Sequence, residues 1–99
     1  MANKNVYQVT VYGNGQQEWY KEGKLHREDG PAFINGEQQE WWIGGKIHRV
    51  DGPAIIYDDH QEWWNEGKRH RVDGPAVIDG DYQEWWNEGT QLQVCGLQQ

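Results

Sequence analysis

One eleven-residue phrase occurs three times in this 99-residue chain, at a fixed interval of 22 residues. The copies are KLHREDGPAFI (24–34), KIHRVDGPAII (46–56) and KRHRVDGPAVI (68–78). A fixed period of this length indicates a repeat architecture, in which each repeat is one supersecondary unit packed against its neighbours. We predict a single domain, 1–99. It comprises an N-terminal strand within 1–16, repeats at 17–38, 39–60 and 61–82, and a truncated capping repeat at 83–99.

Alignment of the repeats from the tripeptide Gln-Glu-Trp places like residues in columns. The first ring column is Trp19, Trp41, Trp63 and Trp85, and the second ring column is Tyr20, Trp42, Trp64 and Trp86. A glycine column follows at Gly23, Gly45, Gly67 and Gly89. Because side chains alternate along a strand, the two ring columns are expected to point to opposite faces of a sheet.

Each repeat is predicted to form two strands and two turns. Gln-Glu-Trp-Trp favours a strand, and the Glu-Gly or Gly-Gly that follows is typical of a tight hairpin turn. The next strand starts at Lys24, Lys46 or Lys68, is interrupted at Asp-Gly-Pro and resumes at Ala-x-Ile. A second turn is predicted at Asn35-Gly36, Asp58-Asp59 or Asp79-Gly80. The predicted fold is all-β, a twisted antiparallel meander of hairpin repeats with about eight or nine strands.

The composition favours a folded, acidic domain. Hydrophobic residues make up only 35% of the chain, but seven Trp and five Tyr supply large rings that a disordered segment lacks. The formal net charge of −7 disfavours binding to double-stranded DNA or to an anionic membrane. The single cysteine, Cys95, cannot form an internal disulfide. No apolar run has the length of a signal peptide or a membrane span, so a cytoplasmic location is expected.

The pattern Trp-x-x-x-Gly-Lys-x-His-Arg-x-Asp-Gly-Pro-Ala, at a period of 22 residues, resembles the short MORN-type repeats of phage and giant-virus proteins. The resemblance covers 17–94. It implies a twisted sheet of hairpin repeats that serves as a binding scaffold, in a phage protein with an anti-defence role in the host cytoplasm. The last unit departs from the pattern, because Thr90-Gln91-Leu92-Gln93 replaces Lys-x-His-Arg, so this end is expected to be a cap or an interface.

The His, Arg and Asp of each repeat are the main candidates for chemistry: His26/Arg27/Asp29, His48/Arg49/Asp51 and His70/Arg71/Asp73. A His near an Asp can act as a general base, and the pair can bind a metal if another repeat adds ligands. An active site normally uses a constellation once, whereas every polar group here recurs. We therefore expect no catalytic residue, no metal and no cofactor. The Asp is expected to accept backbone N–H bonds, and the His to pack on a ring.

The two ring columns carry the binding hypothesis. One column can line the core of a single-layer sheet, while the other must be exposed, pack against a second copy or stack on a ligand. A homo-oligomer formed by sheet-on-sheet packing is expected on this ground. Trp faces also stack on nucleobases, and Arg binds phosphate in a bidentate manner. The predicted ligand-binding residues are Trp42, Trp64, Trp86, His48, Arg49, His70 and Arg71.

Two functions are consistent with these features. The preferred hypothesis is a non-catalytic oligomer that binds and sequesters a cyclic nucleotide used as a host immune signal. The alternative is an acidic inhibitor or adaptor that mimics nucleic acid and binds a basic host protein. The alternative accounts directly for the net charge of −7 but not for the repeated His-Arg pair.

Overall fold

A computed structural model describes residues 6–96. Within this range the chain is all-β and has no helix, which confirms the predicted fold class. The strands are β1 (Gln8–Val11), β2 (Gln17–Lys21), β3 (Lys24–Leu25), β4 (Phe33–Asn35), β5 (Gln38–Glu40), β6 (Trp42–Ile43), β7 (Lys46–Ile47), β8 (Ile55–Tyr57), β9 (His60–Glu62), β10 (Trp64–Asn65), β11 (Lys68–Arg69), β12 (Val77–Asp79), β13 (Tyr82–Asn87) and β14 (Thr90–Cys95).

Ten of these strands form one open antiparallel sheet, the main sheet. Nine of the ten follow the order β1-β2-β4-β5-β8-β9-β12-β13-β14, and β3 pairs with β2 beside this path. The other strands form two small hairpins, β6-β7 and β10-β11. Neighbours on the path are also neighbours along the chain once β3 and the two small hairpins are left out, so the sheet is the predicted meander.

The described residues contain fourteen strands rather than about eight or nine, because the predicted interruption at Asp-Gly-Pro separates strands, and the second and third repeats also break at Trp41 and Trp63. Trp41 lies between β5 and β6: its N–H donates to the carbonyl of Ala54, which directly precedes β8 (2.8 Å), and its carbonyl accepts from the N–H of His48 (3.0 Å). The ribbon breaks again at His-Arg-x-Asp-Gly-Pro, which contains no strand in any complete repeat. These segments, 26–31, 48–53 and 70–75, are called the kinks below.

Two kinds of turn recur with the repeats. The turns at 22–23, 44–45, 66–67 and 88–89 have positive φ at both central residues, which is the geometry that matches strand twist and that favours Gly at the second position. In the second kind, only the first central residue has positive φ: Gly36 (62°), Asp58 (52°) or Gly80 (60°). The turns at Gly36 and Gly80 are centred one residue later than predicted, whereas Asp58-Asp59 is where the sequence indicated.

The core is thin. Ala32, Ala54 and Ala76 are fully buried and Val77 is 4% exposed, but no large side chain of the described residues is fully buried. The molecule measures 53 × 30 × 17 Å, so its shortest dimension is little more than one sheet with side chains on both faces. Most apolar burial therefore comes from aromatic rings that are half-buried on the two faces.

Candidate functional site

The kinks hold a ladder of arginines on the first ring column. In each complete repeat the guanidinium carbon lies 3.7–3.9 Å from the centre of a Trp ring: Arg27 over Trp19, Arg49 over Trp41 and Arg71 over Trp63. Such a separation is a close cation–π contact. The arginine predicted to bind a ligand thus already covers the face of one tryptophan.

The same guanidinium also ties the kink together. Arg49 Nε donates to Asp51 Oδ1 (3.1 Å), and Arg49 Nη1 donates to the carbonyl of Pro53 (3.0 Å). Both bonds recur in the other two kinks. A Cβ at Gly52 would lie 3.0 Å from Arg49 Cζ, so glycine gives the guanidinium room to pass. The expectation that the Asp accepts backbone N–H bonds is wrong, because its hydrogen-bond donor is the arginine.

The histidines connect one repeat to the next. His48 Nδ1 accepts from the N–H of Glu66 (2.9 Å), which is the first residue of the next hairpin turn. The equivalent bonds join His26 to Gly44 (2.8 Å) and His70 to Glu88 (3.0 Å). An imidazole that accepts at Nδ1 is unprotonated at that atom. All three histidines thus form a hydrogen bond across the repeat boundary, and His26 also lies beside a ring, with 6.0 Å between its ring centre and that of Tyr7.

The second ring column is bound to a column of glutamates on the opposite face. Glu62 Oε1 accepts from Trp64 Nε1 (2.7 Å), and Glu62 Oε2 lies 2.6 Å from His60 Nε2. Partners two positions before and after the glutamate recur in the other units: Gln16 and Tyr20 for Glu18, Gln38 and Trp42 for Glu40, Tyr82 and Trp86 for Glu84. The indole N–H groups of Trp42, Trp64 and Trp86 are therefore used within the chain.

The third repeat breaks the symmetry of this face at Arg69, where the other repeats have Leu25 and Ile47. Its guanidinium carbon lies 5.1 Å from the ring centres of both Trp64 and Trp86, and its Nε lies 3.6 Å from Glu62 Oε1. Burial acts to raise the pKa of Glu62, but the hydrogen bonds from His60 and Trp64 and the charge of Arg69 outweigh it and hold that pKa below its ordinary value.

Two open grooves separate successive kinks. Groove I lies between kinks 26–31 and 48–53, has a volume of about 730 Å³ and is also lined by Trp41 and Ile43. Groove II lies between kinks 48–53 and 70–75, has a volume of about 670 Å³ and is also lined by Trp63 and Asn65. Val50 and Val72 project from the kinks beside the grooves and are 83% and 88% exposed.

The grooves bring together four of the seven predicted site residues: His48, Arg49, His70 and Arg71. Their tryptophans are Trp41 and Trp63, from the first ring column, whereas Trp42, Trp64 and Trp86 hold glutamates on the other face. Sequence reasoning missed these two tryptophans and the exposed valines. Strand alternation shows that an arginine can share a face with only one ring column, but it does not show which one.

Neither ring column is left exposed. All seven tryptophans lie within residues 6–96, and each is half-buried in the single chain. The argument that one column must pack against a second copy therefore does not hold. A homo-oligomer stays a prediction, and sheet-on-sheet packing of the rings is not needed to shield them.

Within residues 6–96, no group of three His, Cys, Asp or Glu is arranged to hold a metal ion. The part of the chain that the structure describes also contains no helix long and apolar enough to cross a membrane. No protein-family model, curated protein or solved structure matches the chain. The resemblance to MORN-type repeats thus stays a prediction based on the repeat pattern.

Proposed function

We propose that the chain is a non-catalytic adaptor that binds a basic polypeptide along grooves I and II. One observation carries this proposal. The Asp side chains of the kinks are 85–88% exposed, whereas the arginines paired with them are only 21–25% exposed. A molecule that approaches the kinks therefore meets carboxylates first, and the guanidiniums lie beneath them against the tryptophan rings.

The exposed carboxylates have capacity for a partner. Asp51 uses Oδ1 to accept from Arg49, and a carboxylate has two oxygens with about four acceptor sites. An exposed ion pair such as Arg49–Asp51 contributes at most about 1 kcal/mol to the stability of the fold. The Asp side chains can therefore accept from Lys or Arg of a partner without loss of the kink. The overall charge of −7 adds attraction over a longer range.

The spacing of the repeats suits an extended chain. Each repeat adds two strands to the main sheet, so equivalent residues in successive kinks are separated by about 10 Å at the usual strand spacing. A chain in the extended polyproline II conformation rises about 9 Å in its three-residue turn, so every third side chain returns to the same face. A basic residue at every third position would thus meet Asp29, Asp51 and Asp73 in turn, with Val50 and Val72 available for apolar contact.

The nucleotide hypothesis is the second candidate, because the grooves do bring Arg49, His70 and Trp63 together. Two features favour the polypeptide over the nucleotide. The guanidinium already covers the ring on which a base would stack, at 3.9 Å for Arg49 over Trp41. The Asp bound to that guanidinium also repels a phosphate.

Titration calorimetry of the full chain tests the proposal with a nine-residue probe peptide that has Lys at every third position. Controls are a peptide of the same composition with clustered Lys, and a cyclic dinucleotide. Asp51→Asn/Asp73→Asn keeps the shape of the side chains but removes two charges beside the grooves. Asp58→Asn/Asp59→Asn removes two charges at an exposed hairpin turn and is the matched control.

We expect the spaced peptide to bind more tightly than the clustered one, and the groove variant to weaken its binding at least tenfold, or about 1.4 kcal/mol. The turn variant should change the affinity by less than about twofold, apart from a small long-range effect that added salt removes. Equal losses in both variants would show non-specific attraction and would contradict the proposal. A measurable heat of binding with the cyclic dinucleotide, and none with either peptide, would support the nucleotide hypothesis instead.

A further inference from the structure

The main sheet ends in two edge strands, β1 and β14, and only β14 carries a structural guard against pairing with another chain. Its ladder with β13 shifts register between Trp85 and Trp86, so that Gln91 and Gln93 have partners on β13 while Leu92 is the extra residue of a bulge. A bulge in an edge strand twists it and interrupts the row of backbone groups that a second strand would need.

Within residues 6–96, the other edge strand, β1, has none of the usual guards. Its sequence Gln-Val-Thr-Val contains no charge and no proline, and all four residues pair with β2 in unbroken register. All four are also exposed. Around this strand the chain exposes the apolar side chains of Val6 (55%), Val9 (43%), Val11 (64%) and Tyr12 (44%). An exposed, regular, uncharged edge is a template for strand addition.

The backbone groups of β1 that face away from β2 can be identified. The N–H of Tyr12 donates to the carbonyl of Gln16, so Tyr12 belongs to a hydrogen-bonded pair. Such pairs alternate along an antiparallel ladder, which makes Thr10 and Gln8 the next residues bonded to β2. The N–H and C=O groups of Val9 and Val11 therefore point outward from the edge of the sheet.

We propose that β1 is a self-association surface, on which two copies of the chain pair β1 to β1 in antiparallel orientation. A two-fold axis at Thr10 places Val9 of one copy opposite Val11 of the other. Both residues direct their N–H and C=O groups outward, so the two Val9–Val11 pairs form four backbone hydrogen bonds. The same register puts the valines of both copies together on one face and leaves no unpaired group between them.

The charge distribution favours this edge as the place where two copies meet. Each chain carries a net charge of −7, so two copies repel each other unless they meet at a neutral surface. β1 is such a surface, whereas the kinks expose carboxylates. An edge contact of four or five residues buries less than the roughly 1,200 Å² of a standard stable interface. We therefore expect a weak, concentration-dependent dimer rather than a permanent one.

Sedimentation velocity of the full chain tests this proposal from about 1 µM to about 1 mM, the range expected for a weak contact. Thr10→Lys puts two lysines face to face at the axis, while within one chain the new lysine lies opposite Glu18. Thr90→Lys is the matched control, because it makes the same change on the other edge strand. Lys also occupies the equivalent position in all three complete repeats.

We expect wild type and Thr90→Lys to reach twice the monomer mass with increasing concentration. Thr10→Lys should need at least tenfold higher concentration to form the same fraction of dimer. In a Cys95→Ser background, Thr10→Cys should form a disulfide-linked dimer under mild oxidation faster than Thr90→Cys. The two copies of residue 10 form a non-hydrogen-bonded pair, in which the Cα atoms are about 4.5 Å apart. A wild type that stays monomeric would overturn the proposal. Equal effects of the two lysine variants, or open-ended polymers that require β1 to meet β14, would also overturn it.

Discussion

The guanidinium of Arg49 covers the ring of Trp41 at 3.9 Å and donates hydrogen bonds to Asp51 and to the carbonyl of Pro53. One side chain thus joins the first ring column to the kink. This relationship explains why the repeat keeps Trp, Arg, Asp, Gly and Pro at fixed spacing. The Trp supplies the surface, the Asp and Pro supply acceptors, and the Gly leaves space for the guanidinium.

Replacement of this arginine is expected to destabilise the fold. Arg49→Ala removes the cation–π contact and two hydrogen bonds, so we expect the free energy of unfolding to fall by about 1–3 kcal/mol. Arg49→Lys is expected to recover only part of the loss, since an ammonium lacks the planar fork that reaches both acceptors. Urea denaturation measures both values.

Val50→Ala is the control, because this neighbouring side chain is 83% exposed and should change the stability by less than about 0.5 kcal/mol. A free energy of unfolding of Arg49→Ala equal to that of wild type would contradict the structural role of this arginine.

The connection between repeats can be tested at a single amide. His48→Ala removes the acceptor for the N–H of Glu66, so that amide is expected to exchange with deuterium at least tenfold faster. The neighbouring amide of Gly67 donates to the carbonyl of Ile47 instead and should be affected less. Hydrogen exchange followed by NMR separates the two. Equal acceleration of both amides would indicate general loosening of the hairpin rather than loss of one bond.

The fold was predictable from the sequence to the level of the repeat. Turn residues such as Gly23 and Gly36 and the alternation of rings define an antiparallel meander, because both signals depend only on residues close in the chain. The interruption at Asp-Gly-Pro was predictable from its Pro and Gly, whereas the breaks at Trp41 and Trp63 were not, since they depend on hydrogen bonds to neighbouring strands. The same limit applies to the site. Arg49 can stack on only one ring column, and the backbone path of the kink determines that it contacts Trp41 rather than Trp42.

The fully buried alanines Ala32, Ala54 and Ala76 form a column that is expected to tolerate no larger side chain. Ala54 is fully buried, its N–H donates to the backbone carbonyl of Glu62 (2.7 Å), and its carbonyl accepts from the backbone N–H of Trp41 (2.8 Å). Ala54→Leu adds three carbons at a site fixed by two backbone bonds, so we expect a loss of about 1–3 kcal/mol in thermal or urea unfolding. Val72→Leu enlarges a side chain that is 88% exposed and should be nearly neutral. A stability of Ala54→Leu equal to that of wild type would show that the sheet can open at this column at little cost.

Acid is expected to weaken the fold in part through Glu62. Its pKa is held below the ordinary value: burial opposes the charged form, but His60, Trp64 and Arg69 favour it more strongly. Because the folded-state pKa is the lower one, the stabilisation is complete above the ordinary pKa of about 4.3 and is lost as the pH falls through the folded-state value. Glu62→Gln should therefore reduce the dependence of unfolding free energy on pH below about 4.3, leaving a remainder from Glu18, whose pKa is lowered by its bond from Tyr20. Glu37→Gln, at an exposed turn, serves as the control and should keep the wild-type slope. Denaturation at a series of pH values measures all three proteins, and a Glu62→Gln variant as acid-sensitive as wild type would show that its bonds contribute nothing to the pH dependence.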